Sequence, residues 1–126
     1  MENACTVISI NATGGNLLID GDPNWDDQQL KIDRVVINSA YTQADGHSVA
    51  CSVDWPNSTG DELMMGIWFV GPNNRGENTN NYMMSIGQNS NGLMDVIEVY
   101  PLKPLNFKYT VVAQTKWELV LRFEKL

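Results

Sequence analysis

The residues from Leu63 to Ile86, LMMGIWFVGPNNRGENTNNYMMSI, constrain this chain more than any other stretch. Leu63–Val70 is the most apolar run in the sequence. It lacks the polar alternation of a strand with one wet face, so it reads as a strand covered on both faces. Pro72 has no N–H to give to a sheet ladder and ends the run. Asn73 to Asn80 follows, with asparagines at 73, 74, 78 and 80. Asparagine and glycine satisfy their own backbone locally and accept positive φ, so this segment reads as a long exposed loop. Tyr82–Ile86 returns as a strand.

Strand signals of the same kind recur along the chain, and helical periodicity is nearly absent. Thr6–Ile10 is rich in β-branched residues; Asn11–Gly15 is a turn cluster, and Leu17–Ile19 returns. Leu30–Asn38 reads as one strand whose apolar parity changes near Arg34, as at a bulge or in a strand buried on both faces. Asp45-Gly46 signals a tight turn. Beyond it Val49, Cys51 and Val53 alternate inward, and Trp55 continues that parity up to Pro56. Met94–Tyr100 and Phe107–Ala113 follow. In Trp117–Phe123, residues Trp117, Leu119, Leu121 and Phe123 share one face. The sequence therefore predicts an all-β fold, a single antiparallel β-sandwich of about eight to nine short strands, with residues 1–126 as one domain.

Composition narrows the function. The chain has 126 residues, a net charge of −7 and only 18% charged residues. Acidity repels nucleic-acid phosphates and anionic membrane surfaces, and the eight Lys and Arg form no stripe, so nucleic acid is not an expected partner. The opening MENACTVISI lacks a basic region followed by a long apolar run. The expectation is a soluble protein without a signal peptide, made in the cytoplasm and, if it acts outside, released by a non-Sec route. Cys5 and Cys51 lie outside any metal-ligand spacing; they are either two buried thiols or one long-range disulfide.

Few residues suggest chemistry. Asp20-x-Asp22-x-Asn24 places oxygen ligands at alternate positions, a weak cation motif. Trp25 and Lys31 stand where a helix-flanked calcium loop needs glycine and glutamate. His47 is the one histidine and no Gly-x-Ser-x-Gly elbow exists, so neither a zinc site nor a serine triad is expected. The sequence points to a non-enzymatic protein without a cofactor. The doublets Met64-Met65 and Met83-Met84 must send one side chain to each face of a strand, which suggests core on one side and an adaptable apolar contact surface on the other. Trp68 and Trp117 read as core. Trp25 and Trp55 sit at strand–loop junctions, where an indole suits sugar stacking or insertion at a lipid interface.

Three features together resemble the aegerolysins, small acidic β-sandwich proteins, and are similar to the actinoporin-like cytolysins. The first is the opening strand running into Asn11-x-Thr13-Gly14-x-x-Leu17. The second is Asp45-Gly46-His47-Ser48-Val49. The third is Trp68-Phe69-Val70-Gly71-Pro72 followed by Asn78-x-Asn80-x-Tyr82. They span about residues 5–88; the family's Cys-Pro-Trp run is replaced by Gly71-Pro72-Asn73. The resemblance implies a binding module for neutral, sphingolipid-type membrane lipids, the small component of a toxin or pore-forming system that works with a larger protein partner. The expected ligand-binding residues are Trp25, Trp55, Asn73, Asn74, Asn78, Asn80 and Tyr82, displayed from loops at one end of the sandwich. The alternative is a carbohydrate- or protein-binding module: a lectin-like protein meeting a glycan, or an immunity or inhibitor protein with an acidic face. The residues carry no signal of oligomeric state.

Overall fold

Alternation of apolar and polar residues becomes two stacked sheets in the computed structural model, which describes residues 3–21, 30–55, 63–71, 81–100 and 107–126. The described strands are β1 (Asn3–Ala12), β2 (Asn16–Gly21), β3 (Lys31–Ile32), β4 (Val35–Val36), β5 (Tyr41–Gln43), β6 (Ser48–Trp55), β7 (Leu63–Gly71), β8 (Asn81–Gln88), β9 (Met94–Tyr100), β10 (Phe107–Gln114) and β11 (Glu118–Lys125). One sheet has the order β10-β11-β1-β6-β3-β4, the other β5-β2-β7-β8-β9. The all-β, two-sheet arrangement agrees with the sequence reading, with eleven strands in place of eight or nine.

Two corrections account for the difference. Leu30–Asn38 is not one bulged strand but a minimal hairpin, β3 and β4, turned by Asp33 and Arg34 at φ 49° and 74°. The parity change near Arg34 therefore records a reversal of the chain. Tyr41–Gln43 is a third short strand, paired to β2, that the sequence pattern does not show. Nor is the sandwich wholly antiparallel. β1 and β11 run parallel in the register Val7↔Leu119, Ser9↔Leu121, so the first and last strands are neighbours.

The core lies between the sheets. From the six-stranded sheet come Cys5 and Val7, then Val49, Cys51 and Val53, then Leu119, Leu121 and Phe123, all buried. The five-stranded sheet answers with Leu17, Ile19, Leu63, Met65, Ile67, Met84 and Ile86, each fully buried. Burial of each such side chain contributes about 1.5–3 kcal/mol. Aromatic rings bridge the layers: Phe69 lies 5.8 Å and Tyr82 4.9 Å from Phe107, and Phe107 lies 6.2 Å from Phe123.

Strand directions define two ends. The Gly14 end holds the turns 13–15 and 44–47 and the strand ends that flank residues 72–80 and 101–106. The Lys116 end holds the turns 89–93 and 115–117 and the strand ends that flank 56–62, with the close of β2. β7, with 9 residues, spans roughly 27 Å between them at about 3.4 Å per residue.

Cys5 and Cys51 are free thiols. Cys51 stands opposite Val7 and Cys5 opposite Val53, so the two cysteines are diagonal neighbours. Diagonal Cα atoms lie about 7–8 Å apart, beyond comfortable disulfide reach. Burial pushes both thiols from 9.0 up to about 12, and the Asp33 carboxylate adds to the effect on Cys51. Well below pH 9.0 both thiols are protonated folded or unfolded and add no pH dependence. Between 9.0 and about 12 only the unfolded chain gives up these protons, so stability falls as pH rises through that window. A thiol reagent near neutral pH is expected to find no reactive cysteine in the folded protein and both in denaturant. The urea midpoint is expected to fall above pH 9.0. Rapid native-state labelling of either cysteine would contradict this packing.

Candidate functional site

A sheet that packs on one side only should show polar residues on its other side. The outer face of the five-stranded sheet does not follow that rule along β7, β8 and β9. On β7 the inward residues are Leu63, Met65, Ile67 and Phe69, and the outward ones Met64, Gly66, Trp68 and Val70. Leu63–Val70 is therefore not covered on both faces, as its composition suggested. It is one buried row and one half-buried apolar row. The methionine doublets divide as strand geometry requires: Met65 and Met84 are fully buried, while Met64 and Met83 face outward and are half-buried.

Register brings the outward residues together. Gly66 stands opposite Met83, and Met83 opposite Tyr100; Met64 stands opposite Ser85, and Ser85 opposite Glu98. A bulge follows, because Ile86 pairs with Val96 and leaves Ile97 without an opposite residue. The extra residue turns Ile97 outward beside Glu98, with Ile97 40% and Tyr100 76% exposed. The result is a groove of about 560 Å³ lined by Met64, Met83, Ser85, Ile97, Glu98, Val99 and Tyr100. One carboxylate and no cation line it. Its volume lies within the range of small-ligand sites, and its two thioethers can adapt to an apolar occupant.

Gly66 extends this surface. A Cβ there would lie 2.8 Å from Cη2 of Trp68 and 3.1 Å from the Met83 sulfur. The absent side chain is what lets the indole lie flat along the sheet toward Met83. Trp68 is therefore a half-buried outer-face residue and not core. Trp117 also departs from expectation. It precedes β11, is partly buried against the core, and carries the Lys116 ammonium 5.2 Å from its ring centroid.

The residues singled out from sequence fare differently. Tyr82 is 3% exposed and points inward from β8. Its hydroxyl donates to the Phe107 carbonyl at 3.1 Å, and its ring meets Tyr109 edge-on at 5.5 Å. Burial, with the neighbouring Tyr109 hydroxyl, pushes its phenol up to about 12. Tyr82 is a core residue and cannot serve an exposed site. Trp25, Asn73, Asn74, Asn78 and Asn80 lie outside the described residues, as does the side chain of Trp55. β6 closes with Trp55 at the Lys116 end, whereas the strand ends that flank 72–80 are at the Gly14 end.

Of the cation motif, Asp22 and Asn24 lie outside the described residues; Asp20 accepts the Gly21 N–H at 2.9 Å. Among the described residues no group of three or more His, Cys, Asp and Glu side chains could hold a metal ion. The motif residues Asn11, Thr13 and Asp45 form a structural joint. The Asn11 amide donates to the carbonyls of Gly15 and Gln43, its oxygen accepts from Thr13, and Asp45 accepts the Gly14 N–H. The groove was partly legible from the methionine doublets. Ile97 was not, since a bulge depends on pairing with another strand.

Placing a methyl group at Gly66 tests the packing of the outer face. Gly66→Ala should displace the Trp68 indole, altering its near-ultraviolet circular dichroism and costing on the order of 1–3 kcal/mol. An unchanged Trp68 signal would contradict the stacking.

No family model matches this chain, and no curated protein matches it. Among solved structures it is similar to the crystal structure of IP-1A from Alcaligenes faecalis, with 10% sequence identity and a TM-score of 0.52 over 97% of this chain and 90% of that one. At that identity the likeness is one of fold alone: an all-β chain of two facing sheets.

Proposed function

We propose that this chain is a non-enzymatic binding module for membrane surfaces rich in neutral, sphingolipid-type lipids, acting as the small component of a toxin or pore-forming system. The observation that carries the reading is the apolar outer face, where Met64, Met83, Ile97 and a largely exposed Tyr100 lie where an isolated sandwich would present polar groups. A tyrosine ring with one apolar body and one polar tip suits the headgroup layer of a bilayer. The net charge of −7 favours zwitterionic lipids over anionic ones. The resemblance of the Asn11–Leu17, Asp45–Val49 and Trp68–Tyr82 segments to the aegerolysins supports the same reading.

Co-sedimentation with phosphatidylcholine–sphingomyelin vesicles tests it. The protein is expected in the vesicle pellet, less so when phosphatidylserine is added. Tyr100→Ala, at a site too exposed to unfold the chain, is expected to weaken binding by about 1–3 kcal/mol, or roughly 5- to 150-fold. A protein that stays in the supernatant with every neutral vesicle, yet is retained on a glycan array, would instead favour a lectin-like module.

A further inference from the structure

The two outer faces of the sandwich differ in charge. On the six-stranded sheet, the outward side chains include Lys31, Lys108 and Arg122 beside Glu118 and Glu124, a mixed surface. On the five-stranded sheet they include Asp20, Asp95 and Glu98, and no Lys, Arg or His among the described residues. Register sets these carboxylates around the groove. Asp20 stands opposite Gly66, Gly66 opposite Met83 and Met83 opposite Tyr100, so one outward row runs from a carboxylate to a phenol. Asp20 and Asp95 are engaged locally. Asp20 accepts the Gly21 N–H, and Asp95 accepts from the Asn89 amide at 3.2 Å and from the Val96 N–H at 2.8 Å. Glu98 is the carboxylate that lines the groove. It lies on the same face of β9 as Tyr100, about 7 Å along the strand.

A surface that is apolar and negative selects an occupant that is apolar and positive. A primary ammonium carries three N–H donors and needs an acceptor for each. The Met64 and Met83 thioethers are weak acceptors, and the Tyr100 ring is an apolar body with one polar tip. A quaternary ammonium has no N–H to satisfy. Its methyl groups suit thioethers, and its charge is drawn to an aromatic face and to a carboxylate. We propose that the groove binds a quaternary ammonium group, with its charge between the Glu98 carboxylate and the Tyr100 ring and its methyl groups against Met83 and Met64. The source of that group is the choline headgroup of a membrane lipid, which rests on the lipid-binding reading; the groove adds which part of the lipid is held. The phosphate of the same headgroup meets no cation among the described lining residues and stays outside the groove.

Choline itself is the probe, titrated into the full chain with isotope-labelled methionine methyl groups and followed by nuclear magnetic resonance. The Met64 and Met83 signals are expected to shift saturably, with those of the fully buried Met65 and Met84 as references. Dimethylbutanol, which has the shape of choline without its charge, is expected to bind more weakly by roughly 5-fold, the scale of one charged contact at a part-exposed site. Glu98→Gln should weaken choline by a similar factor. Glu118→Gln removes the same charge from an exposed position on the other sheet and should leave choline binding unchanged. Equal binding of choline and the neutral alcohol, equal loss in the two Gln variants, no loss in Glu98→Gln, or no saturable shift overturns the assignment. Pelleting of the unaltered chain with phosphatidylcholine–sphingomyelin vesicles is measured in parallel. Pelleting without a choline shift overturns the ammonium site and leaves lipid binding standing. A choline shift without pelleting upholds the site and overturns the lipid as its source.

Discussion

Two sheets can stack in many registers if only apolar side chains meet between them. Here one buried polar joint selects the register. Gln43, at the end of β5, donates both hydrogens of its amide nitrogen, to the carbonyls of Ser9 and His47, and its oxygen accepts the Ser9 hydroxyl at 2.8 Å. Asn11 likewise uses both amide hydrogens, on Gly15 and Gln43, while its oxygen accepts the N–H and hydroxyl of Thr13. All four side chains are buried. A fully satisfied network in a low-dielectric interior resists any slip, because a shift of one residue would leave several buried groups unpaired at about 1–3 kcal/mol each. Ser9 and Asn11 belong to the strand between β6 and β11 in one sheet, and Gln43 to the edge of the other. The joint therefore fixes sheet to sheet as well as turn to turn.

The opposite end has a lighter counterpart. The Met94 N–H donates to the Thr115 carbonyl, the Gln114 amide to Met94, and the Gln88 amide to Lys116. With both ends tied, the inward and outward parity of β7, β8 and β9 is set, and the outer-face groove is a consequence. The same parity that buries Met65 and Met84 turns Met64 and Met83 outward. The bulge at Ile97 then adds one more apolar side chain than strict alternation would allow.

Much of this was legible in the residues. Alternation in Ser48–Val53 and Leu119–Phe123 marked the inward faces correctly, since a period of two is local information. The doublets marked a two-faced apolar sheet for the same reason. What escaped was non-local. The Asp33-Arg34 reversal looked like a bulge because both produce a parity change. Trp68 looked like core because an apolar run does not itself show which of its two rows faces the other sheet. Tyr82, the first residue of the returning strand in the sequence reading, looked available for binding because it follows the asparagine-rich segment, yet β8 turns it inward toward Phe107. Asn11, Thr13 and Asp45, quoted for a family resemblance, prove to hold the sandwich closed at the Gly14 end.

Hydrogen exchange of the Asn11 and Gln43 side-chain amides tests the central claim most directly, because both hydrogens of each are placed in buried bonds. Transferred to deuterated solvent and followed by nuclear magnetic resonance, all four signals are expected to persist as long as the backbone amides of Val7 and Cys51. Exchange at the rate of a solvent-exposed carboxamide, with the β1 and β6 backbone still protected, would show that the sheets are not joined there and would contradict the account.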